Sequence, residues 1–155
     1  MKISGAYSLA VPQERAFRLL QDPQVLARAM PGCESLELVG ENEYAMRMKM
    51  VLASMSGLFQ GKVRISESKP PSSFRLMVEG QGKIGFMKGE GLLTLTPAEA
   101  PDGPSCHIQY DGDVQVGGTI AAVGQRLLDT TARLLIKRFF EKLSSEASSM
   151  SHFVA

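Results

Sequence analysis

Two patterns of apolar residues follow one another in this chain of 155 residues and limit the folds that it can adopt. From about residue 44 to residue 116, apolar and polar residues alternate with a period of two, with short turn segments between the runs. From Ile120 to Leu143 the period becomes helical, and a wide apolar stripe lies opposite charged residues. Alternation predicts antiparallel strands with one buried face, and a single long helix beginning after Thr119 could cover that face.

The residues before this region predict a first strand and two short helices. Pro12 suits the first turn of a helix, and Pro31 with Gly32 ends the second one. The predicted elements, in order, are strand Lys2–Ala10, helix Gln13–Leu20, helix Asp22–Met30 and strand Glu34–Val39. The predicted fold class is therefore α+β, with a curved antiparallel sheet of about seven strands wrapped around a long C-terminal helix.

Size and composition indicate one domain at residues 1–148, followed by a flexible tail at residues 149–155. The formal net charge of +1 gives no field that would attract nucleic acid. Two isolated cysteines, Cys33 and Cys106, are typical of a reduced compartment. The chain has neither a secretory leader pattern nor an apolar run of roughly 18 residues, so we expect a cytoplasmic protein without a transmembrane anchor.

Inward-facing glycines suggest space between the sheet and the long helix. By strand parity, Gly80 and Gly82 share a face with Leu76 and Val78, while Gly89 and Gly91 share one with Met87, Leu93 and Leu95. These glycines could leave a cavity, or they could permit the bulges of a strongly bent sheet. A stripe of inward methionines, which includes Met48, fits an ordinary core as well as an adaptable ligand surface.

Candidate ligand-binding residues share inward parity on the strands or the apolar face of the long helix. They are Tyr7, Met46, Met48, Met50, Phe59, Val63, Leu76, Val78, Gly80, Gly89, Gly91, Tyr110, Leu127, Thr131 and Leu134. No catalytic residue, metal ligand or cofactor is predicted, because the inward positions carry almost no titratable side chains and His107 faces outward. The glycines from Gly80 to Gly85 match a dinucleotide motif in letters, but a strand follows them instead of the required helix.

Seven blocks of sequence, in the same order, carry a resemblance to a known family. They are Met1–Gly5, Asp22–Leu26, Met30–Leu36, Ser56–Val63, Gly85–Gly89, Tyr110–Gly118 and Val123–Leu127. On these blocks the chain resembles the CoxG family of carbon monoxide dehydrogenase subunits, within the START and birch-pollen-allergen (SRPBCC) superfamily, from Met1 to about Leu143.

The resemblance implies a helix-grip fold with an apolar cavity between a seven-stranded sheet and the C-terminal helix. It also implies a role beside a molybdenum hydroxylase such as carbon monoxide dehydrogenase, in membrane recruitment and in handling an electron acceptor of the quinone type. Some members continue past the long helix into a hydrophobic anchor, and this sequence shows no such segment up to Ala155.

Three functions follow as hypotheses. The first is binding of a hydrophobic molecule, a lipid or an isoprenoid quinone, without catalysis, as an accessory to a molybdenum-containing dehydrogenase. The second is an enzyme of the cyclase or aromatase kind that uses a cavity tyrosine as an acid. The third is an assembly or recruitment subunit whose interior is filled and holds no ligand. The enzyme hypothesis requires a titratable side chain inside the cavity. The assembly-subunit hypothesis requires an interior packed with side chains.

Overall fold

The computed structural model describes residues 1–52 and 54–153, with side chains described as far as residue 148. Its elements are β1 (Lys2–Leu9), α1 (Gln13–Leu19), α2 (Pro23–Ala29), β2 (Cys33–Gly40), β3 (Glu43–Leu52), β4 (Met55–Lys69), β5 (Ser73–Gly82), β6 (Gly85–Ala100), β7 (Gly103–Gly117), a 3-10 helix (Thr119–Val123) and α3 (Gln125–Phe153). The predicted α+β class, with two short helices after the first strand and one long helix at the end, is confirmed.

All seven strands form one antiparallel sheet in the order β1-β7-β6-β5-β4-β3-β2. Strands β2 to β7 are sequential neighbours, so short hairpins connect them. Strand β1 instead pairs with β7, and α1 and α2 carry the chain from that edge of the sheet to the opposite edge at β2. At the start of α2, the Asp22 carboxylate accepts a hydrogen bond of 2.9 Å from the Gln24 amide, and Pro23 occupies the first turn.

The predicted start of the long helix is wrong. Thr119 begins a 3-10 helix that ends at Val123, and α3 starts only at Gln125. Gly124 separates the two with a φ of 97°, a conformation that interrupts a right-handed helix. The apolar period continued through this break because a 3-10 helix also places residues i and i+3 on one side. Of the predicted tail at 149–155, α3 includes the backbone to Phe153, and Val154 and Ala155 lie outside the described residues.

The largest part of the core lies where α1 and the later turns of α3 meet the sheet. Phe17 of α1 packs edge-on against Phe74 of β5, with ring centroids 5.6 Å apart. Phe140 of α3 stacks on Tyr7 of β1 at 4.4 Å. A second, smaller cluster of buried Leu52, Phe59 and Ile120 closes the opposite end of the sheet. Met50 packs against both clusters, and members of both line the cavity described below.

Within the described residues, no helix combines the length and the apolar character needed to cross a bilayer.

Candidate ligand-binding cavity

A cavity of about 300 Å³ lies between the concave face of the sheet and α3. It arises because α3 lies closest to α2, β1 and α1, which leaves the inner face of β3 to β6 incompletely covered. Many wall side chains, such as Met50, Val78 and Ile136, are therefore only half-buried although they face the interior. The volume lies at the lower end of the range of roughly 300–1,000 Å³ that is usual for small-molecule sites.

Many of the candidate residues from the sequence lie together on the cavity wall. They are Met48, Met50, Val63, Leu76, Val78, Gly89, Gly91, Tyr110 and Thr131. Strand parity brought these residues to one face, and the curvature of the sheet brings them around one volume.

Four residues of the predicted wall do not line the cavity, so the prediction is corrected there. They are Tyr7, Met46, Phe59 and Gly80. Tyr7 is covered by Phe140, whose ring is stacked on it. A Cβ atom on Gly80 would lie 3.5 Å from the side chains of both Met46 and Phe59. These two buried side chains fill the volume above Gly80, so the glycine leaves no void there. Parity gave the correct face of the sheet but not the depth of packing above it.

Leu127 and Leu134 also lie outside the wall, and their predicted position on the cavity side of the helix is wrong. Their side chains are 37% and 42% exposed. The predicted apolar stripe of the helix was wider than the face of α3 that contacts the rest of the protein. These two leucines lie at the edge of that stripe, outside the contact. The residues of α3 that face the cavity are Leu128, Thr131, Ala132, Leu135, Ile136, Phe139 and Phe140.

Part of the wall was missed by the sequence argument. The short helices and the turn after them supply Leu20, Leu26, Met30 and Pro31, and no periodic signal shows which residues of so short a helix meet a distant sheet. Gly112, in contrast, lies between Tyr110 and Val114 at the same parity and could have been found. The other missed residues outside α3 are Met1, Ile3, Leu52, Phe74, Met87, Glu90, Leu93, Val114, Val116 and Ile120.

Three glycines on β6 and β7 line the cavity, and Gly91 pairs directly with Gly112. A Cβ atom on Gly91 would lie 3.1 Å from the Asp111 carbonyl oxygen, and one on Gly112 would lie 2.7 Å from the Glu90 carbonyl oxygen. At Gly112 a side chain would force the strand backbones apart, and at Gly91 the backbone of β7 would have to move by a few tenths of an ångström. Gly89 differs, since its Cβ atom would meet the Val114 side chain at an ordinary 3.6 Å. A side chain at Gly89 would extend into the cavity.

Tyr110 and Thr131 supply the polar side chains that face the cavity among the described residues. The Tyr110 ring lies over Gly5, where a Cβ atom would be 2.6 Å from the phenol oxygen, and runs beside Phe140 with centroids 6.2 Å apart. Burial raises the pKa of the Tyr110 phenol, Tyr7 adds to this, and Arg133 opposes it. The hydroxyl therefore stays protonated at neutral pH and can donate a hydrogen bond to a ligand.

The cavity has little means for acid–base or metal chemistry. Glu90 borders it, but its carboxylate lies 3.4 Å from Arg75, an outward-facing residue of the neighbouring strand. His107 lies on the exposed face of β7, away from the cavity. In the part of the chain that the structure describes, no three His, Cys, Asp or Glu side chains group as metal ligands. The arrangement can enclose an apolar molecule and offer it a hydroxyl.

A curved antiparallel sheet, a long C-terminal helix and an apolar cavity between them form a helix-grip fold. Solved structures with the same fold support this assignment. A START superfamily protein from Mycobacterium smegmatis is 16% identical, with a TM-score of 0.73 over 96% of this chain and 98% of that chain. The Zhui aromatase/cyclase from Streptomyces sp. R1128 is 14% identical, with a TM-score of 0.62 over 96% and 92%. At sequence identities this low, the structural similarity shows a common fold and nothing more.

The family assignment is more specific than the fold. The family model for CoxG, a carbon monoxide dehydrogenase subunit, matches residues 5–148, and the chain belongs to this family. A conserved protein from Geobacillus kaustophilus is 34% identical, with a TM-score of 0.90 over 96% of both chains. None of the curated proteins gives a significant match.

Proposed function

We propose that this protein binds a hydrophobic molecule of the lipid or isoprenoid-quinone type and leaves it chemically unchanged. The observation that carries the proposal is the cavity of about 300 Å³, whose inward side chains are apolar except for Tyr110 and Thr131. Burial of apolar ligand surface contributes about 25 cal/mol per Å², so such a wall favours an apolar ligand. A pure recruitment subunit would have an interior filled by side chains, whereas these residues surround a cavity.

A quinone fits the few polar groups well. Its ring carbonyl can accept a hydrogen bond from the protonated Tyr110 hydroxyl. Its isoprenoid chain can lie against the flexible side chains of Met48 and Met50, which adapt to irregular apolar shapes. The same groups could hold the head group and acyl chain of a lipid.

The proposed partner is a molybdenum-containing dehydrogenase, and the family description supports this by naming carbon monoxide dehydrogenase. In this proposal the protein works on the cytoplasmic side, at the inner surface of the membrane, and carries a lipid-soluble electron acceptor to or from its partner. Cys33 and Cys106 are free thiols, which agrees with a reduced compartment.

Native mass spectrometry of protein purified from its own host should show one bound lipid or quinone per chain. Added to ligand-free protein at about 100 times its dissociation constant, a short-chain quinone should stabilise the fold by about 2.7 kcal/mol. For a domain of this size that is a rise in melting temperature of roughly 5–10 °C. A chain that carries no lipid and melts at the same temperature with quinones and lipids alike would contradict the proposal.

A cyclase-like enzyme is the second candidate, favoured by the position of Tyr110 on the wall and by the fold shared with an aromatase/cyclase. The raised pKa of Tyr110 argues against it, because a phenol that holds its proton more firmly is a weaker acid near neutrality. We expect no product, by mass, from a quinone or polyketide analogue incubated with the protein. Catalytic product formation that disappears in Tyr110→Phe, with the ligand still bound, would establish the enzyme.

The Tyr110→Phe variant also tests the hydrogen bond to the ligand. We expect it to weaken quinone binding about three- to tenfold, the effect of losing one hydrogen bond. Because the phenol pKa is raised above its ordinary value of 10.0, this difference between variant and wild type should stay constant from pH 6 to 9. A difference that disappears within that range would show that another group titrates at the ligand. Isothermal titration with a water-dispersible quinone measures both effects.

A further inference from the structure

The side chain of Tyr110 on β7 lies across the backbone of the neighbouring strand β1. Gly5 of β1 is its partner in the antiparallel register. A Cβ atom on Gly5 would lie 2.6 Å from the phenol oxygen, 2.8 Å from Cζ and 2.9 Å from Cε1. The outer half of the Tyr110 ring therefore fills the place that a side chain on Gly5 would take. Tyr110 belongs to the cavity wall, whereas Gly5 does not.

Two further aromatic rings lie beside Tyr110. Tyr7 follows Gly5 by two residues on the same face of β1, and its ring is 6.4 Å from that of Tyr110, with 15° between the ring planes. The Phe140 ring is 6.2 Å from Tyr110 at 17° and is stacked on Tyr7. The backbone of β1 and these two rings thus confine the phenol on two sides, and the cavity lies on a third.

The Tyr110 hydroxyl lacks a partner within the protein. None of the described residues forms a hydrogen bond with it. The residue is half-buried, and its hydroxyl lies on a wall where Thr131 supplies the other polar side chain that faces inward. A polar group in apolar surroundings costs free energy unless it forms a hydrogen bond. A ligand that places a hydrogen-bond acceptor at this point would supply that bond.

The hydroxyl also marks one side of the cavity. Strand β1 forms one edge of the sheet, while β3, which carries Met48 and Met50, lies next to the strand at the other edge. A ligand whose acceptor meets Tyr110 would therefore extend its apolar part across the sheet, towards these two methionines.

A methyl group on Gly5 would move the hydroxyl. Ordinary contact with a Cβ atom begins at 3.4 Å, so the phenol oxygen would be displaced by about 0.8 Å. The usual oxygen–oxygen distances of a hydrogen bond span only about 0.5 Å. A ring that covers a glycine also has a structural use on an edge strand. That use alone predicts a change in the free energy of unfolding, with all ligands affected alike.

We propose that Gly5 is a positioning residue for the ligand. The absence of a side chain there lets the Tyr110 hydroxyl lie close to β1, where it donates a hydrogen bond to a carbonyl oxygen of the ligand. This proposal deepens the proposed function and rests on it, since it names the chemical group that is recognised and the side of the cavity that receives it. Gly5 does not touch the ligand and acts through Tyr110.

Two ligands that differ only in their carbonyl groups test the proposal. They are a prenylated naphthoquinone and the prenylated naphthalene with the same ring and chain. Gly5→Ala should weaken binding of the naphthoquinone about three- to tenfold, the effect of losing one hydrogen bond, and leave binding of the naphthalene nearly unchanged. In the Tyr110→Phe background, Gly5→Ala should cause no further loss, because the two changes remove the same interaction.

The infrared band of the naphthoquinone carbonyls gives a second readout. A hydrogen bond lowers the stretching frequency of a carbonyl group. We expect a lowered band in the wild-type complex, and one higher frequency shared by the Gly5→Ala and Tyr110→Phe complexes. A purely structural effect of Gly5 on the stability of the fold would leave this band where it is in the wild type.

Gly40→Ala is the matched control. Its methyl group would meet only the Glu43 side chain, at an ordinary 3.6 Å, so binding of both ligands should be unchanged. Met50→Ala removes part of the apolar wall and should weaken both ligands alike. Equal losses for both ligands in Gly5→Ala, or a carbonyl band that this variant does not move, would overturn the positioning role and leave the proposed function standing. A wild type that binds neither compound would count against the quinone itself and would overturn this proposal with it.

An unstable Gly5→Ala protein would still test the contact. If this variant does not fold, Gly5→Ala combined with Tyr110→Val should fold, because the methyl group then meets no ring. Urea denaturation of the double variant measures the recovery. Without recovery the methyl group would clash with something other than Tyr110, and the proposal would be wrong.

Discussion

The Gly89→Leu variant is expected to bind a quinone about a hundredfold more weakly than the wild type while unfolding at nearly the same free energy. The new side chain would extend from β6 into the cavity, because a Cβ atom there meets nothing closer than the Val114 side chain at 3.6 Å. It would remove roughly 100 Å² of ligand contact, about 2.5 kcal/mol at 25 cal/mol per Å². Leucine also suits a strand interior better than glycine does, which offsets small packing losses.

Gly91→Leu, two residues further on the same strand and also on the wall, is the matched comparison. Its Cβ atom would lie 3.1 Å from the Asp111 carbonyl oxygen, so the backbone of β7 would have to shift. We expect a loss of unfolding free energy of about 1–3 kcal/mol there. Urea denaturation of the ligand-free proteins separates the two variants, and a loss as large in Gly89→Leu would show that no space exists above Gly89.

The sequence predicted the sheet because every strand from β3 to β7 keeps the period of two that a half-buried strand requires. It predicted the helix less well at its start, since the break at Gly124 depends on one positive φ angle that an apolar period does not record. The short helices α1 and α2 were found, but their part in the cavity was not. Leu20 and Leu26 reach the wall through the path of the chain across the sheet, which is a tertiary property.

For the candidate site, strand parity predicted which face of the sheet each residue lies on, but not how fully other side chains cover that residue. Parity placed Met48, Gly89 and Tyr110 on the inner face, and the structure brings them to one wall. Parity also placed Gly80 on the inner face. Whether a glycine leaves a void, however, depends on how far the side chains of the adjacent strands extend over it. A Cβ atom on Gly80 would meet two side chains, those of Met46 and Phe59 at 3.5 Å, whereas one on Gly89 would meet a single side chain, that of Val114 at 3.6 Å.

Gly61 and Gly80 face each other across β4 and β5 and provide the sharpest test of how the sheet bends around the cavity. A Cβ atom on Gly61 would clash with the Glu79 carbonyl group, 2.6 Å from its carbon, and would lie 2.7 Å from the Gly80 Cα atom. These are backbone atoms, which can move aside only if the two strands separate. The close approach of β4 and β5 at this point thus depends on the absence of a side chain at Gly61.

Gly61→Ala should therefore reduce the free energy of unfolding by about 3 kcal/mol or more, at the upper end of overpacking costs. Gly80→Ala should change it by less than about 1 kcal/mol, because its methyl group would meet the Met46 and Phe59 side chains at an ordinary 3.5 Å. Urea denaturation of both variants gives the comparison. Equal stabilities would mean that β4 and β5 part easily, and the bend of the sheet around the cavity would then need another cause. A loss confined to Gly61→Ala would show that the close approach of β4 and β5 depends on the absence of a side chain at Gly61.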